Sequence, residues 1–460
     1  MCAHPMLLLI VWGGCGPQPE PTEPTGSSEP RISNLSWRLH PDLAPFAYVS
    51  WDQQITGEVT VEVSVDEGEW LSLPPTAAQI GRNEQLVVGL PYGAAAAYRI
   101  RDGAEVEEAA DRIVLPGAPG KMPLGTLKVS EADAWLQEGR YLLTSVSQTS
   151  GGWGTNGPFW TLILDRRGRP VWGRVTEPNV WTLYAQVSTT GDHILIDEIS
   201  WLGGDPDRIF RSYLDGVFEE IEAPGLHHAF VELPDGTLTW ASQAHAETGE
   251  ALVEKAPGQD DETVLWSCID DWPQGNAGWA CSSNCVYYSA ERDSYLYSFY
   301  SNETVVEIDR ASGSTLWWAG GVDGGYRFEP LDSRFYWQHG VSYTPAGTLL
   351  LSTQDQPIPE TNLAREYVVD HDTQTLTEVW SYDAGVLADT NGDTWRLPNG
   401  NTLHTLGSAA QLKEIDPDGQ TVWHLDFGGT RLMGRSQWLT DLYPLLSPEL
   451  HPQRRGPPRP

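Results

Sequence analysis

Short apolar runs, broken by glycine, proline, asparagine and aspartate, recur along the chain from residue 31 onward. In residues 31–117 the runs AYVSW, VTVEVSV, EQLVVGL and AAAYRIRD alternate apolar with polar positions, as strands with one buried face do. From about residue 123 the runs end in an acidic residue, a tight turn and an aromatic side chain. Neither pattern has the period of an amphipathic helix, so the sequence predicts an all-β protein.

The first pattern predicts a separate small domain over residues 31–117. Its short strands are separated by closely spaced turns, which is typical of an antiparallel β-sandwich. With Trp51 on an early strand and Tyr98 near the last, the segment resembles an immunoglobulin- or fibronectin type III-like module. No residue in this domain is recognised as a candidate catalytic residue, so we expect the domain to act as a spacer or packing partner.

The second pattern is an internal repeat, present in LILDRRGRPVW, RSYLDGVF, ETVLW, VVEIDRASGSTLWW, YVVDHDTQTLTEVW and KEIDPDGQTVW. Successive copies lie about 43 to 62 residues apart, close to the length of a four-stranded propeller blade. Six copies predict a six-bladed β-propeller over residues 123–445. The closing aromatics, expected to pack between blades, are Trp172, Phe218, Trp266, Trp318, Trp380 and Trp423. The acidic residues expected to cap the turns are Asp165, Asp309, Asp370 and Asp416.

Two histidines occupy the same register of this repeat. His228 lies eight residues before the glycine of Pro-Asp-Gly (234–236), and His339 lies eight before the glycine of Pro-Ala-Gly (345–347). The first strand of each propeller blade runs along the central channel, so both side chains are predicted to point toward that channel. Strand alternation places the neighbouring His227 on the opposite face.

Charge narrows the range of partners. The 28 Lys and Arg residues against 63 Asp and Glu give a net charge of −35, which argues against a nucleic acid or an anionic membrane surface. The 21 tryptophans, 46 glycines and 34 prolines fit an all-β chain with many turns. The oligomeric state is left open.

The N-terminus is typical of an export signal. In residues 1–15, MLLLIVWGGC forms a short apolar run that ends at Cys15, and residues 16–30 indicate a disordered polar tether. This is the pattern of a bacterial lipoprotein, anchored through Cys15 in the periplasm or at the cell surface. A plain signal peptide, or a start at Met6, is the alternative. The Pro- and Arg-rich segment 446–460 is expected to be disordered, and no other run is long enough for a membrane-spanning helix.

Three cysteines remain after the signal, namely Cys268, Cys281 and Cys285. An odd number allows at most one disulfide among them, and we expect Cys268 to pair with Cys281 or Cys285. A metal site here would lack a fourth ligand in phase, so no metal-binding residue is predicted. A structural calcium ion elsewhere is left open.

The repeat region resembles the bacterial aryl-sulfate sulfotransferases, exported six-bladed propellers preceded by a small β domain. The similar passages span residues 225–425 and are HHAFVELPDG, SNETVVEIDRASGSTLWWAGG, FYWQHGVSYTPAGTLLL, LAREYVVD and RLPNGNTLHTLGSAAQLKEIDPDGQTVW. Their most specific feature is Gly-Gly after a tryptophan pair, followed some twenty residues later by Gln-His.

The resemblance implies sulfuryl transfer from an aryl sulfate to a phenol by a ping-pong route through a sulfated histidine. It implies no cofactor, in particular no 3'-phosphoadenosine 5'-phosphosulfate (PAPS). A neutral imidazole can attack sulfur, and a guanidinium can offset charge on the sulfuryl oxygens. The catalytic residues implied in chain order are His228, His339, Arg365 and the nucleophile His404, with His227 and Asn284 in contact with substrate.

Two other functions remain as alternatives. A catalytically inactive, surface-anchored propeller that binds a ligand or protein is one, because STQDQ and SSNCV depart from the family pattern. A quinoprotein dehydrogenase is the other, since IDRASGSTLW approaches its repeat, but such enzymes have more blades and a vicinal cysteine pair that this chain lacks. His228, His339 and Arg365 favour the transferase.

Overall fold

The computed structural model describes residues 31–155, 157–200, 207–246, 249–272 and 281–450. Nearly all regular structure in these ranges is β-strand, accompanied by the short 3-10 helices Gly152–Gly154, Leu331–Ser333 and Tyr443–Leu445. The predicted all-β class is therefore confirmed. None of the helices in the described ranges has the length and apolar character needed to cross a membrane.

The first nine strands form two antiparallel sheets. One sheet holds β1 (Ile32–Leu39), β2 (Ala47–Gln53) and β6 (Gly81–Val87). The other holds β3 (Gly57–Val65), β4 (Leu71–Ser72), β5 (Thr76–Ala78), β7 (Ala95–Asp102), β8 (Glu105–Glu108) and β9 (Ile113–Val114). Trp51 and Tyr98 are fully buried in the core that the two sheets share.

This core continues into the rest of the molecule. Trp172, Tyr443 and Leu446 belong to the same cluster of buried apolar side chains as Trp51. Leu446 has no exposed surface and Ser447 is 2% exposed, so the predicted disordered tail does not begin at residue 446. The prediction missed this because composition does not reveal that Leu446 packs against the N-terminal sheets. The predicted signal and tether (1–30) and residues 451–460 lie outside the described residues.

The remaining strands form six sheets, each built on four antiparallel strands. From one edge to the other, the first three sheets are β35 (Met433–Leu439), β11 (Tyr141–Ser147), β12 (Phe159–Asp165) and β13 (Pro170–Val175); β14 (Ala185–Val187), β15 (Ile194–Glu198), β16 (Arg208–Ser212) and β17 (Phe218–Glu222); and β18 (Leu226–Glu232), β19 (Leu238–Ser242), β20 (Ala251–Lys255) and β21 (Thr263–Ser267). The next three are β22 (Ser283–Ser289), β23 (Ser294–Phe299), β24 (Thr304–Asp309) and β25 (Thr315–Gly320); β27 (Tyr336–Tyr343), β28 (Leu349–Gln354), β29 (Asn362–Asp370) and β30 (Thr375–Asp383), extended by β26 (Arg327–Glu329); and β31 (Asp393–Arg396), β32 (Thr402–Leu406), β33 (Gln411–Ile415) and β34 (Thr421–Asp426), extended by β10 (Thr126–Ser130).

The first strand named for each sheet is called here its inner edge strand, because these strands contact one another. Strand β18 contacts β22, β22 contacts β27, β27 contacts β31, β31 contacts β35, and β35 contacts β14. Strand β35, the last strand of the described residues, pairs with β11 and so completes the first of the six sheets.

The repeated aromatic residue lies on the fourth strand of each sheet. The Trp172 indole donates a hydrogen bond to the Leu214 carbonyl of the next sheet, and the Trp423 indole donates to the carbonyl of Arg166. The predicted packing of tryptophans between neighbouring sheets is therefore confirmed for this pair. The predicted turn caps are also confirmed, since a side-chain carboxylate accepts a backbone N–H bond of its own turn at Asp165, Asp309, Asp370 and Asp416.

Candidate functional site

A small cavity lies where the six inner edge strands begin. Each strand, or a residue one or two positions before it, contributes one polar or aromatic side chain to the wall: Tyr184, His228, Asn284, His339, Asn391 and Arg435. We call this space the histidine cavity. Its volume is about 10 Å³, which is room for one water molecule at most. The structure thus brings together the two histidines predicted in register, together with Asn284.

Glycines allow the inner edge strands to approach each other closely around this cavity. A Cβ atom on Gly340 would lie 2.4 Å from the Cα of Asp393, and one on Gly434 would lie 1.9 Å from the carbonyl oxygen of Leu183. Any larger residue at either position would push the strands apart. Gly340 also has a positive φ of 57°, which favours glycine for a second reason.

His228 is held in a strained conformation with an unpartnered ring nitrogen. Its φ of 43° lies in the left-handed region, which is uncommon for residues other than glycine. Its Nδ1 is buried and has no hydrogen-bond partner among the described residues. Burial, with the nearby His227, His339 and Arg435, holds the pKa of His228 well below its ordinary value, so the imidazole is neutral.

His339 is neutral as well, but both of its nitrogens are engaged. Its Nδ1 lies 2.9 Å from the Trp337 carbonyl oxygen, and its Nε2 lies 3.2 Å from the backbone N–H of Asn391. These partners assign the proton to Nδ1, because a carbonyl only accepts and an N–H only donates. Burial lowers the pKa of His339 to about 4.

Arg435 is the cation beside this cavity, and the sequence interpretation missed it. Its Nη2 donates to the Cys285 thiol at 2.6 Å, its Nε lies 3.6 Å from an Asp393 oxygen, and its guanidinium stacks 4.2 Å above the ring centre of Tyr184. Burial opposes its charge, but Cys285, Tyr184 and Asp393 raise the pKa of Arg435 overall. Burial also raises the pKa of Asp393 to about 6, although Arg435 opposes that shift.

A second residue that was missed orients Tyr184. The buried carboxylate of Asp197, on β15, accepts hydrogen bonds from the backbone N–H groups of Leu183 and Tyr184 at 3.0 and 2.8 Å. The Tyr184 hydroxyl then donates to the Asn284 carbonyl at 2.7 Å. Neither Tyr184 nor Arg435 has a repeat partner in the sequence. The only sequence signal for Arg435 is that RLMGRSQWL (431–439) follows the last copy of the repeat, as expected of a strand that pairs back with the first sheet.

A much larger cavity, which we call the wide cavity, lies toward the ends of the inner edge strands. Its volume is about 930 Å³, within the range of small-molecule sites. Most of its wall is apolar, with contributions from Val187, Val231, Tyr287, Trp395, Leu397 and Trp438. Arg435 lines both this cavity and the histidine cavity, so its guanidinium lies at the boundary between them.

Residues 283–428 match the family model described as arylsulfotransferase (ASST). The resemblance to arylsulfotransferases is confirmed. The matched segment contains Asn284, His339, Arg365 and His404, and it supports an aryl-sulfate sulfotransferase-like enzyme. His228 and Arg435 lie outside it.

The other comparisons add no functional argument. No curated protein matches the chain. Among solved structures, the periplasmic gluconolactonase PpgL of Pseudomonas aeruginosa is 14% identical, with 83% of this chain and 99% of that one covered at a TM-score of 0.42. A putative 6-phosphogluconolactonase from Bacteroides fragilis is 14% identical over 83% and 98% of the two chains (TM-score 0.40), and virginiamycin B lyase from Staphylococcus aureus is 8% identical over 68% and 100% (TM-score 0.38). Similarities this low carry no argument about this chain.

Two residues assigned by analogy with arylsulfotransferases do not line the histidine cavity. His404 is fully buried on β32, the second strand of its sheet, where its Nε2 lies 2.9 Å from the Ser352 hydroxyl. Burial lowers its pKa to about 3. Arg365 lies on β29, the third strand of its sheet, where its Nε is 3.2 Å from a Glu378 oxygen. Neither residue therefore belongs to the wall of the histidine cavity, although Ser352, the partner of His404, lies opposite His339 on the neighbouring strand.

The two residues expected to contact substrate lie at or beside the cavity. Asn284 donates through Nδ2 to the Gln338 carbonyl, while its Oδ1 is buried without a partner in the described part of the chain. His227 packs against His228 with 4.4 Å between ring centres. Its Nδ1 lies 2.7 Å from a carboxylate oxygen of Glu250, which is itself fully buried.

Of the two predicted pairings of Cys268, with Cys281 or with Cys285, the structure contains the first. Cys268 and Cys281 form a disulfide, and Cys285 is a buried free thiol. A disulfide fits an exported protein, because such bonds persist in oxidising compartments. Within the described ranges, no cluster of His, Cys, Asp and Glu side chains could hold a metal ion.

Proposed function

We propose that this protein transfers a sulfuryl group from an aryl sulfate to a phenol, without PAPS, by a ping-pong reaction through a sulfated histidine. The observation that carries the proposal is the unpartnered, neutral imidazole of His228, which lies beside His339 and the Arg435 guanidinium. The arylsulfotransferase match over residues 283–428 supports the reaction class.

His228 is the nucleophile that the geometry favours. A nucleophilic imidazole needs a free lone pair, and both nitrogens of His339 already have partners. His404, the nucleophile implied by the family resemblance, is enclosed on the second strand of its sheet. Holding His228 at a positive φ costs free energy, which is typical of residues retained for function.

The reaction balances as two displacements at sulfur. In the first, the unprotonated nitrogen of His228 attacks sulfur, the N–S bond forms, the S–O bond to the aryl group breaks, and the aryl oxide departs. In the second, a phenol gives its proton to the departed aryl oxide or to solvent and attacks the same sulfur as phenoxide. The new S–O bond forms and the N–S bond breaks, which restores the neutral imidazole. Arg435 offsets the charge on the sulfuryl oxygens in both transition states. Arg365, paired with Glu378, acts in this scheme only from outside the cavity.

We also propose a domain architecture that is consistent with this function. The six sheets are the blades of a β-propeller whose inner edge strands surround a channel, and the contacts between those strands support this arrangement. The two N-terminal sheets are the immunoglobulin- or fibronectin-like sandwich. Export with a lipid anchor on Cys15 completes the proposal, and aryl sulfates and phenols are its small-molecule partners.

The test is incubation of the purified protein with 4-nitrophenyl sulfate, with and without phenol. We expect release of nitrophenolate that depends on phenol, followed by absorbance, and the mass of one added sulfuryl group on the intact protein. His228→Ala should abolish the adduct, because it removes the attacking nitrogen. His404→Ala should retain it.

Exposed His371, whose Nδ1 lies 3.1 Å from the Tyr326 hydroxyl, provides the matched control, and His371→Ala should behave as wild type. An adduct lost in His404→Ala but kept in His228→Ala would return the nucleophile to His404. No release from several aryl sulfates, with protein shown to be folded by thermal unfolding, would overturn the transferase and support the ligand-binding alternative.

A further inference from the structure

The proposed reaction leaves the wide cavity without a role. The histidine cavity, at about 10 Å³, cannot hold an aromatic ring, whereas the wide cavity has about 930 Å³. The two spaces share one wall residue that carries a permanent charge, which is Arg435. A substrate that has both an anionic and an aromatic part must place them in different environments, and this boundary offers both.

The guanidinium of Arg435 has hydrogen-bonding capacity to spare. The side chain is 5% exposed, and its Nε is buried without a hydrogen-bond acceptor, since Asp393 lies 3.6 Å away. Nη2 is used by Cys285, while no residue in the described ranges accepts a bond from Nη1. Burying a cation whose N–H donors lack acceptors costs free energy unless an anion accepts hydrogen bonds from them. A sulfate oxygen is a suitable acceptor, because guanidinium groups bind such anions through two parallel bonds.

The side chains around this cation suit a flat apolar body. The Trp395 and Tyr287 rings lie 6.3 Å apart between centres, and the guanidinium carbon lies 5.6 Å from the Trp395 ring centre. Trp395 is itself fixed, because its indole donates to Asp393 at 2.5 Å. The wall is mostly apolar, and besides Arg435 its charged side chains are Glu138 and Arg396. Arg396 is already paired with Glu366, so a second anionic group on the substrate would lose hydration without gaining a free cation.

We propose that Arg435 binds the sulfate group of an aryl sulfate whose aromatic body occupies the wide cavity, and that the cavity selects multi-ring aryl sulfates carrying a single charge. This inference deepens the proposed function and rests on it. It assigns the anion-binding role to Arg435 on the closing strand, whereas the family resemblance pointed to Arg365.

The test uses aryl sulfonates, which have the anion and the ring but a carbon–sulfur bond that leaves no sulfuryl group to transfer. Binding of methanesulfonate, benzenesulfonate, naphthalene-2-sulfonate and naphthalene-2,6-disulfonate is measured by calorimetry and by quenching of tryptophan fluorescence. We expect naphthalene-2-sulfonate to bind about 10-fold more tightly than benzenesulfonate, because more apolar surface is buried. Methanesulfonate should bind weakest, and the disulfonate should bind at least 10-fold less tightly than the monosulfonate.

The variants test the role of the Arg435 charge without leaving Asp393 as an uncompensated buried charge. Arg435→Gln alone would strand the buried Asp393, so it is combined with Asp393→Asn, which removes both charges together. The double variant should lose at least about 30-fold in affinity for naphthalene-2-sulfonate, as expected for a lost charge-assisted bidentate contact. Arg435→Lys should recover part of that loss. Exposed Arg292, 4.4 Å above the Tyr343 ring, provides the control, and Arg292→Gln should bind as wild type.

The outcomes separate this inference from the proposed function. Unchanged sulfonate affinity in a folded Arg435→Gln/Asp393→Asn protein would overturn the inference, even if wild-type protein transferred sulfuryl groups. Equal affinity for all four sulfonates would overturn the selection by ring size and charge. Tight, Arg435-dependent binding of naphthalene-2-sulfonate by a protein that transfers nothing would support the binding site and count against the transferase.

Discussion

The Glu62 cluster of the N-terminal sheets and the histidine cavity of the inner edge strands treat buried polar groups in opposite ways. In the N-terminal sheets, the buried carboxylate of Glu62 accepts hydrogen bonds from Arg99 and Arg101. Around the histidine cavity, His228 Nδ1 and Asn284 Oδ1 are buried without a partner in the described part of the chain.

This difference separates a region built for stability from one built for chemistry. An unpartnered buried polar atom costs about 1–3 kcal/mol, and proteins retain few of them without a functional reason. Several such atoms face one cavity here, beside a buried guanidinium. The Glu62 cluster, by contrast, satisfies its charges internally and leaves nothing for a ligand to complete.

The largest effect is expected when the cavity imidazole is removed while its backbone conformation is kept. His228→Asn suits the positive φ, because asparagine tolerates the left-handed region better than most residues. Sulfuryl transfer should fall by about 10³-fold or more, as the nucleophile is lost. The melting temperature should change little, because no hydrogen bond of His228 Nδ1 is broken. A large drop in melting temperature with activity retained would mean that His228 serves stability rather than chemistry.

The next effect concerns acid stability, which the buried histidines of the six sheets should control. The pKa of His404 is lowered to about 3 in the folded protein, against about 6.5 in an unfolded chain. Between these pH values the unfolded state takes up a proton that the folded state refuses, so stability falls as the pH falls. At about 1.4 kcal/mol per pKa unit, His404 should cost about 3 kcal/mol of stability between pH 6.5 and 4.

His404→Gln should remove that loss while preserving a partner for Ser352. The measurement is urea unfolding at pH 7 and pH 4, and the difference between the two free energies of unfolding should shrink by about 3 kcal/mol relative to wild type. The pKa of Asp393 is raised to about 6, so its contribution to the stability of the folded protein falls as the pH rises, opposite to that of His404. Because Asp393 is present in both wild type and variant, its contribution cancels in the comparison. The exposed His371→Gln should leave the difference unchanged; an equal change there would show that burial is not the cause.

The sequence predicted the repeating features of the molecule better than the unique ones. The closing aromatics and the turn caps recur, so each copy supported the others, and the register of His228 and His339 placed both on inner edge strands. His404 and Arg365 were matched only by chain order, which does not tell the first strand of a sheet from the second or third. Arg435 and Tyr184 have no repeat partner, and their proximity depends on how the closing strand meets the second sheet. That contact joins residues about 250 positions apart, as the bond from Val187 to Gln437 shows.

The smallest effect is expected in the N-terminal sheets. Glu62→Gln leaves Arg99 and Arg101 without their carboxylate and should lower the free energy of unfolding by about 2 kcal/mol, measured by urea denaturation. Sulfuryl transfer by the folded fraction should be unchanged, because no ligand-binding group is touched. Glu58, exposed on the same strand, provides the control, and Glu58→Gln should have almost no effect on stability. Loss of transfer in folded Glu62→Gln would mean that the N-terminal sheets help to shape the site, since their core continues into the sheet of β11 through Tyr141.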